Sequence, residues 1–422
     1  MLNKLNQILW GTFLFTFPFS LRFVVYEQFS YRFGNFNPWV TGFIYLPEIL
    51  LGVVFILWLI EKFRILHFTF RISWSWILLF LFIVNAGVIT FLNGNLILFG
   101  FFALRILEAI IIYLLIVDQL LPPKTIIKIL LAAASLQIIW GWMQWKLNHS
   151  LGLTWLGEAV VSSETMGVAK TDVAEGIKQI RPYGSFLHPN ILAAYLMVIM
   201  FISLSYLKKY RLLFWLIFLT GGIYFTHSRA AALITLVGFG AIILFSFLKE
   251  IKIKRWISLI TLIILILGNV WFFQNSYAVK ITDTSWQERL EQNVISHNMF
   301  WQNPIGVGTS NFTLEMENFS ADKLMPWNFQ PVHNTYFLAL NETGAQGLIL
   351  LLIAIAIIFY RYWKTPPDGF LGDSNFIPLL VLVLIAPFDH FLWDSFIGII
   401  LIAITIGFFR TNINPESIES NL

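Results

Sequence analysis

Three cations in this chain stand where a charge is expensive unless it is used. Arg181 opens the segment Arg-Pro-Tyr-Gly-Ser-Phe-Leu-His-Pro-Asn (181–190), which abuts the hydrocarbon run Ile191 to Tyr206. Arg229 follows Thr226-His227-Ser228, and His333 opens His333-Asn334-Thr335-Tyr336. A guanidinium carries a fixed fork of donors that matches phosphate and keeps its charge at any physiological pH. Two arginines facing one pocket can hold a pyrophosphate and neutralise its charge as it leaves. The plainer reading of each is a span-end arginine that snorkels to lipid phosphate. Neutral imidazole is the usual general base near neutral pH, so His333 can take the proton of an acceptor hydroxyl. Its plainer reading is an interfacial histidine bonded to a backbone carbonyl. Glu342 lies in the span that His333 begins, where an acid demands a partner. An arginine or a polar network is expected to supply it.

Other polar groups have blander readings. Arg289 sits beside Glu288 and Glu291, which suits a solvated, salt-bridged helix face. Gly306-Val307-Gly308-Thr309-Ser310-Asn311-Phe312 is similar to a phosphate-cradling loop, but a lone G-x-G does not specify one. Arg105 and Glu108 are one helical turn apart and suit an intrahelical pair. Asp389, His390 and Asp394 form a polar patch near Trp393, without the spacing logic of a metal site. No metal and no cofactor are expected.

The elements that must position these residues are membrane helices. The chain of 422 residues is 58% hydrophobic and 12% charged, with 42 Phe and 17 Trp. Apolar runs near the length of a bilayer crossing recur along it and do not alternate as barrel strands do. The expected fold is therefore an all-α polytopic membrane protein, a single integral domain over residues 1–422. The spans are expected at about 8–25, 39–60, 72–92, 97–117, 125–145, 186–207, 212–227, 230–248, 256–274, 335–360, 376–392 and 394–410, about 12 in all. The first has no small-residue cleavage site and is expected to be a retained span. Cysteine is absent, which excludes disulfides and thiolate metal sites.

Basic connectors alternate with neutral or long ones. Lys62, Arg64 and Arg71, then Lys124 and Lys128, Lys208, Lys209 and Arg211, Lys249 to Arg255, and Arg361 with Lys364 all fall on one side. With Lys4 and Arg410, about 16 of the 27 Lys and Arg lie there. The positive-inside rule makes that side cytoplasmic, with both termini in it. The opposite face then holds two long loops, about 146–185 and 275–334, together with Arg181, His188, Arg229 and His333. Within the second loop, Ser285 to Phe300 places Trp286, Leu290, Val294 and Phe300 at the spacing of an amphipathic surface helix. No Walker motif is present and the cytoplasmic connectors are short, so no nucleotide or nucleic-acid partner is expected. A transferase working on the outer face needs a donor that is already activated and anchored in the membrane.

Taken in order, Arg181 to Phe186, His188-Pro189-Asn190, Ser228-Arg229-Ala230-Ala231, Glu288-Arg289, Pro304 to Phe312, His333 to Tyr336 and Glu342 to Gly347 resemble the O-antigen ligase and O-antigen polymerase-like family of bacterial envelope glycan enzymes. The resemblance spans about residues 140–350, while the first 130 match only as generic spans. It implies about 12 helices in a GT-C-like fold in the bacterial inner membrane, an undecaprenyl-pyrophosphate-linked glycan as donor, and metal-independent transfer with inversion. It implies a glycan or a lipid core as acceptor. Arg181 and Arg229 would grip the pyrophosphate and His333 would activate the acceptor. Arg289, Glu342, Tyr183, His188, Asn190, Asn311 and Asn334 would line the substrate site, with His188-Pro189-Asn190 mainly a supporting turn. Ligase and polymerase are not separated by these motifs. A flippase for the lipid-linked glycan predicts polar residues through the depth of the spans, whereas here they gather on one face. A scaffold with decayed chemistry would not need to keep Arg181, Arg229 and His333.

Overall fold

In the computed structural model, the described residues are 2–65, 74–174, 177–207, 209–248, 263, 266, 284–364 and 376–411. The elements run α1 (Leu2–Thr16), β1 (Arg22–Tyr26), β2 (Tyr31–Arg32), β3 (Asn35–Phe36), β4 (Gly42–Tyr45), α2 (Leu46–Ile65), α3 (Trp74–Asn93), α4 (Leu96–Val117) and α5 (Pro123–Leu147). They continue with β5 (Lys170–Ala174), β6 (Ile177–Ile180), α6 (Pro189–Ser203), α7 (Lys209–Phe225), α8 (Arg229–Leu248), α9 (Thr284–Gln302) and α10 (Phe312–Glu315). The last are α11 (Thr335–Lys364), α12 (Ile377–Ile385), α13 (Phe391–Asp394) and α14 (Phe396–Thr411). The protein is mostly helical. Among the described residues, the helices long and apolar enough to cross a bilayer are α3, α4, α5 and the Thr335–Arg361 part of α11. Shorter apolar helices follow at Pro189–Ser203, Tyr210–Phe225, Arg229–Leu244, Ile377–Phe388 and Phe396–Arg410. The span expected at about 256–274 lies outside the described residues.

Three of the expected spans are corrected. The first ends at Thr16, not near residue 25, because Pro18 disfavours helix in the residue before it. The β-branched and aromatic run that follows forms β1. The second begins at Leu46, after β4, with Pro47 in the first helical turn where a missing N–H costs nothing. The expected 376–392 span is broken: α12 stops at Ile385 and a 3₁₀ turn holds Pro387, so that Asp389 and His390 leave the helix. The connector between α1 and α2 is built of antiparallel pairs, β1 with β4 and β2 with β3, and β5 pairs with β6.

Helix α6 is the hub. It is apolar all round and every residue from Pro189 to Ser203 except Asn190 is buried, as expected of a helix enclosed by others. It packs against α5, α7, α8, α12 and α14. Ala193 and Ala194 let neighbours approach closely, and packing contacts of this kind are what hold helices together where lipid competes for apolar surface. Pro189 fits the first turn, and His188 caps the helix, with its Nδ1 accepting from the Asn190 N–H at 3.1 Å. The segment singled out in the sequence is therefore the cap of the central helix.

Helix α11 is discontinuous. Gly344 has φ 70° and ψ 178°, and a Cβ there would collide with the Ile305 carbonyl, so the break requires glycine. The break frees carbonyls that must be satisfied. Val307 N donates to Asn341 O (2.9 Å), Gly308 N to Glu342 O (3.0 Å) and Asn85 Nδ2 to Thr343 O (3.0 Å). The Gly306–Gly308 amides are thus used up inside the fold, which corrects the comparison with a phosphate cradle. Elsewhere in the fold, Arg105 joins Glu108 and also Glu48 of α2, and its Nη2 donates to Phe43 O at 2.7 Å. The intrahelical pair is a buried triad that ties β4 to α4. Glu48 was invisible to a local reading.

Candidate active site

Arg181 lies between β6 and the α6 cap. Its Nε donates to Thr226 O at 2.9 Å and its Nη2 to Asn190 Oδ1 at 2.9 Å. The far side of the Asn190 amide donates to Asp389 Oδ2 at 3.1 Å. One asparagine thus joins the 181–190 segment to the α12–α13 connector. Asp389 in turn fixes the start of α11, where its carbonyl accepts from Thr335 N (3.1 Å) and Thr335 Oγ1 (2.8 Å). That bond locks the residue two before Thr335, His333, against the same connector. The His333 and His390 rings lie 5.2 Å apart, and His390 Nδ1 meets Asp394 Oδ1 at 3.0 Å. Donor atoms of His333, Asp389 and His390 all fall within 4.8 Å of one another, a group that can hold a cation. The buried His333 Nδ1 has no hydrogen-bond partner among the described residues.

Electrostatics shows which charges meet. Burial pulls Arg181 down to about 10, with Arg289 and Arg229 pushing the same way, and it remains a cation at neutral pH. Arg289 also bears on His188, His333 and His390. Three arginines from different parts of the chain therefore share one locality. Arg229, the first residue of α8, is exposed and makes no ion pair among the described residues. A cation at a helix N-terminus is locally unfavourable, because that end of the dipole prefers an anion. The cluster is over-supplied with positive charge and presents a place for one.

The imidazoles are mostly held neutral. Burial lowers His333 to about 3, the His390 and Arg289 charges add to this, and Asp389 opposes it. Burial and Arg181 lower His188 in the same way. Asp389 goes the other way: burial raises it, but His390, His333 and His188 outweigh burial and hold it below the carboxylate range. Burial depresses His390, and Asp394 and Asp389 more than restore it, so it is raised overall. His227, just before Arg229, is lowered by burial to about 4 and has φ 55°. A left-handed histidine is uncommon, and it turns the chain sharply from α7 into α8.

The structure gathers Arg181, Arg229, Arg289, His188, Asn190 and His333 at this site. The other expected residues make structural hydrogen bonds of their own. Asn334 caps α11, with its Oδ1 accepting from Tyr336 N (2.9 Å) and Phe337 N (3.1 Å). Asn311 is buried and its Nδ2 donates to Thr309 O at 3.1 Å. The buried Tyr183 ring packs on Val161 and Ile180, and its hydroxyl accepts from Ala169 N at 2.7 Å. Among the described residues Glu342 pairs with no arginine; it accepts from Trp393 Nε1 at 2.7 Å and from Phe312 N at 3.3 Å. It fastens the loop before α10 to α13, so its partners among the described residues are a polar network, the second of the two expected alternatives. Arg289 is half-buried against the site, where a solvated face was the blander expectation. The apolar stripe of α9 is open, with Trp286 58% and Val294 57% exposed.

Asp389 and His390 were visible in the sequence as an adjacent polar pair without an assigned role. Trp39 was not. It lies in a 3₁₀ turn before β4, far from the motifs in sequence, yet its ring stands edge-on to His390 at 4.7 Å. One of 17 tryptophans in an apolar chain carries no local signal.

No curated protein matches the chain. Residues 212–352, which hold Arg229, Arg289, His333 and Glu342, match the family model described as O-antigen ligase, and over this region the chain is similar to that family.

Proposed function

We propose that this protein is a membrane glycosyltransferase that moves a glycan from undecaprenyl pyrophosphate to an acceptor hydroxyl on the extracytoplasmic face, in the manner of an O-antigen ligase. The observation that carries this reading is Arg181, held by Thr226 and Asn190 and within reach of the Arg229 and Arg289 charges, on the same Asn190–Asp389 link that leads to a neutral His333. The guanidinium groups receive the pyrophosphate. The acceptor hydroxyl gives its proton to the His333 imidazole as its oxygen bonds the anomeric carbon. The bond from that carbon to the phosphate oxygen breaks, the electron pair leaves with undecaprenyl pyrophosphate, and the anomeric configuration inverts. The arginines stabilise the charge that develops on the leaving group.

The depressed basicity of His333 fits this order of events. Burial is the main cause of the lowered basicity, and the His390 and Arg289 charges add to it. A bound pyrophosphate cancels part of that field and raises the basicity of the imidazole when the base is needed. The reaction requires no metal, since guanidinium groups supply the countercharge. In this reading both termini lie in the cytoplasm and the two long loops outside, which the distribution of basic connectors in the sequence supports. The open apolar stripe of α9 rests on the outer leaflet.

The test is transfer by purified full-length protein supplied with an undecaprenyl-pyrophosphate oligosaccharide. A single-step product on an added lipid-core acceptor is expected. A ladder of lengthening lipid-linked glycan would instead mark the polymerase of the same family. Movement of the donor across liposomes, with no new glycosidic bond, would refute a transferase and indicate a transporter.

A further inference from the structure

The connector between α1 and α2 belongs to no motif considered so far and lies outside the matched region 212–352. It nevertheless reaches the site. Asn37 Nδ2 donates to Phe329 O at 2.9 Å, and Arg32 donates to Leu314 O (2.9 Å) and Glu317 Oε2 (3.2 Å). These bonds pin the connector onto the loop that leads to His333. Its turn is rigid: Asn37 Oδ1 accepts from Trp39 N (2.9 Å), and Thr41 Oγ1 donates to Asn37 O (2.7 Å) and bonds Ser30 Oγ (2.7 Å).

Trp39 is what this scaffold presents. The ring is half-buried, and its indole N–H has no partner among the described residues. It contacts His390 at 4.7 Å, and His390 lies 5.2 Å from His333. A tryptophan that serves only as packing is normally enclosed, with its N–H satisfied. Here a rigid aromatic face and a free donor stand on the imidazole side of the site, next to the base. A pyranose ring has the matching chemistry, with a face of C–H groups that stacks on an indole and hydroxyls that accept from its N–H. The arginines occupy the anion side, so the sugar in question is the acceptor.

We propose that Trp39 is the platform of the acceptor-sugar subsite, positioning the ring whose hydroxyl faces His333. This rests on the transferase reading for the identity of the sugar, but sugar binding itself can be measured without turnover. The experiment uses full-length protein in nanodiscs, with wild type, Trp39→Ala and Trp39→Phe. Saturation-transfer NMR reads binding of two free saccharides, a core oligosaccharide and a repeat-unit oligosaccharide, and transfer kinetics are measured alongside.

The expected result is saccharide binding by wild type that weakens about tenfold in Trp39→Ala and largely returns in Trp39→Phe. In turnover, the KM for acceptor should rise by a similar factor, while kcat and the KM for donor stay within about threefold. Equal binding by wild type and Trp39→Ala would overturn the proposal. So would no binding of either saccharide to wild type, or a loss confined to kcat. If Trp39→Ala misfolds, Trp39→Phe and Trp39→Leu decide: a subsite loses binding only in the leucine variant, and equal binding in both refutes it. A wild type that binds saccharide through Trp39 yet transfers nothing would sink the transferase reading and leave the subsite standing.

Discussion

Replacing Arg229 with alanine should separate stability from activity more cleanly than any other change at the site. Arg229 is exposed and forms no ion pair among the described residues. Its charge also opposes the dipole at the start of α8. Removing it should therefore change stability by no more than about 0.5 kcal/mol. If the guanidinium receives the donor pyrophosphate through a bidentate fork, two charge-assisted bonds of about 1.5–3 kcal/mol each are lost. Exposure and screening place the result at the low end, near 3 kcal/mol, which is about a hundredfold in kcat/KM for the donor. Arg229→Lys keeps the charge without the fork and should lose about tenfold. Arg181→Ala provides the contrast. It strips donors from Thr226 O and Asn190 Oδ1, so it should cost both activity and about 2 kcal/mol of stability. Donor kinetics in nanodiscs and thermal denaturation of the same samples make the comparison. An Arg229→Ala protein within threefold of wild type, or one whose activity falls only in step with its folded fraction, would refute the anion-site argument.

Three further outcomes follow from the geometry. His333, His188 and His227 are all held neutral, with His333 at about 3 and His227 at about 4, whereas an unfolded histidine takes a proton near pH 6.5. The unfolded chain therefore binds more protons between about pH 6.5 and 4, so stability should fall on acidification through that window, with His390 opposing. A melting temperature unchanged from pH 7 to pH 5 would contradict this; His227→Asn, which tolerates positive φ, should reduce the slope. Glu342→Ala should destabilise by about 2–4 kcal/mol, because Trp393 Nε1 and Phe312 N lose their acceptor, and Glu342→Gln by less. Chemical denaturation in detergent would check both, and equal effects would disprove the anchoring role. Finally, transfer should persist after exhaustive treatment with EDTA. Loss of activity restored by one divalent ion would show that His333, Asp389 and His390 hold a metal in the working enzyme.

Much of the site could be read from the sequence because lipid makes polar residues conspicuous. Arg181, His188, Asn190, Arg229 and His333 stood out against hydrocarbon, and the structure brings them to one place. The reading was poorer where a polar residue had several possible partners. Asn334, Asn311 and Tyr183 were expected to face substrate, and the structure adds that they satisfy backbone groups at a helix cap, a loop and a packed hairpin. Glu342 was rightly expected to need a partner, but that the partner is an indole depends on α13, which lies 51 residues further along the chain.

The sequence by itself determined the membrane-helical class, because run length acts locally, whereas the breaks at Pro18 and Pro387 fell inside the expected spans and emerged only in the structure. The sequence also determined which guanidinium groups are available for an anion, since guanidinium chemistry does not depend on context. Only the tertiary structure decided that Arg289 joins Arg181 and Arg229, that Glu48 completes the Arg105 triad, and that Trp39 stands beside His390. Each of these pairs residues far apart along the chain. No periodicity encodes such contacts; the burial of α6 at the centre of the bundle, with its cap carrying Asn190, is what draws the outer loops together.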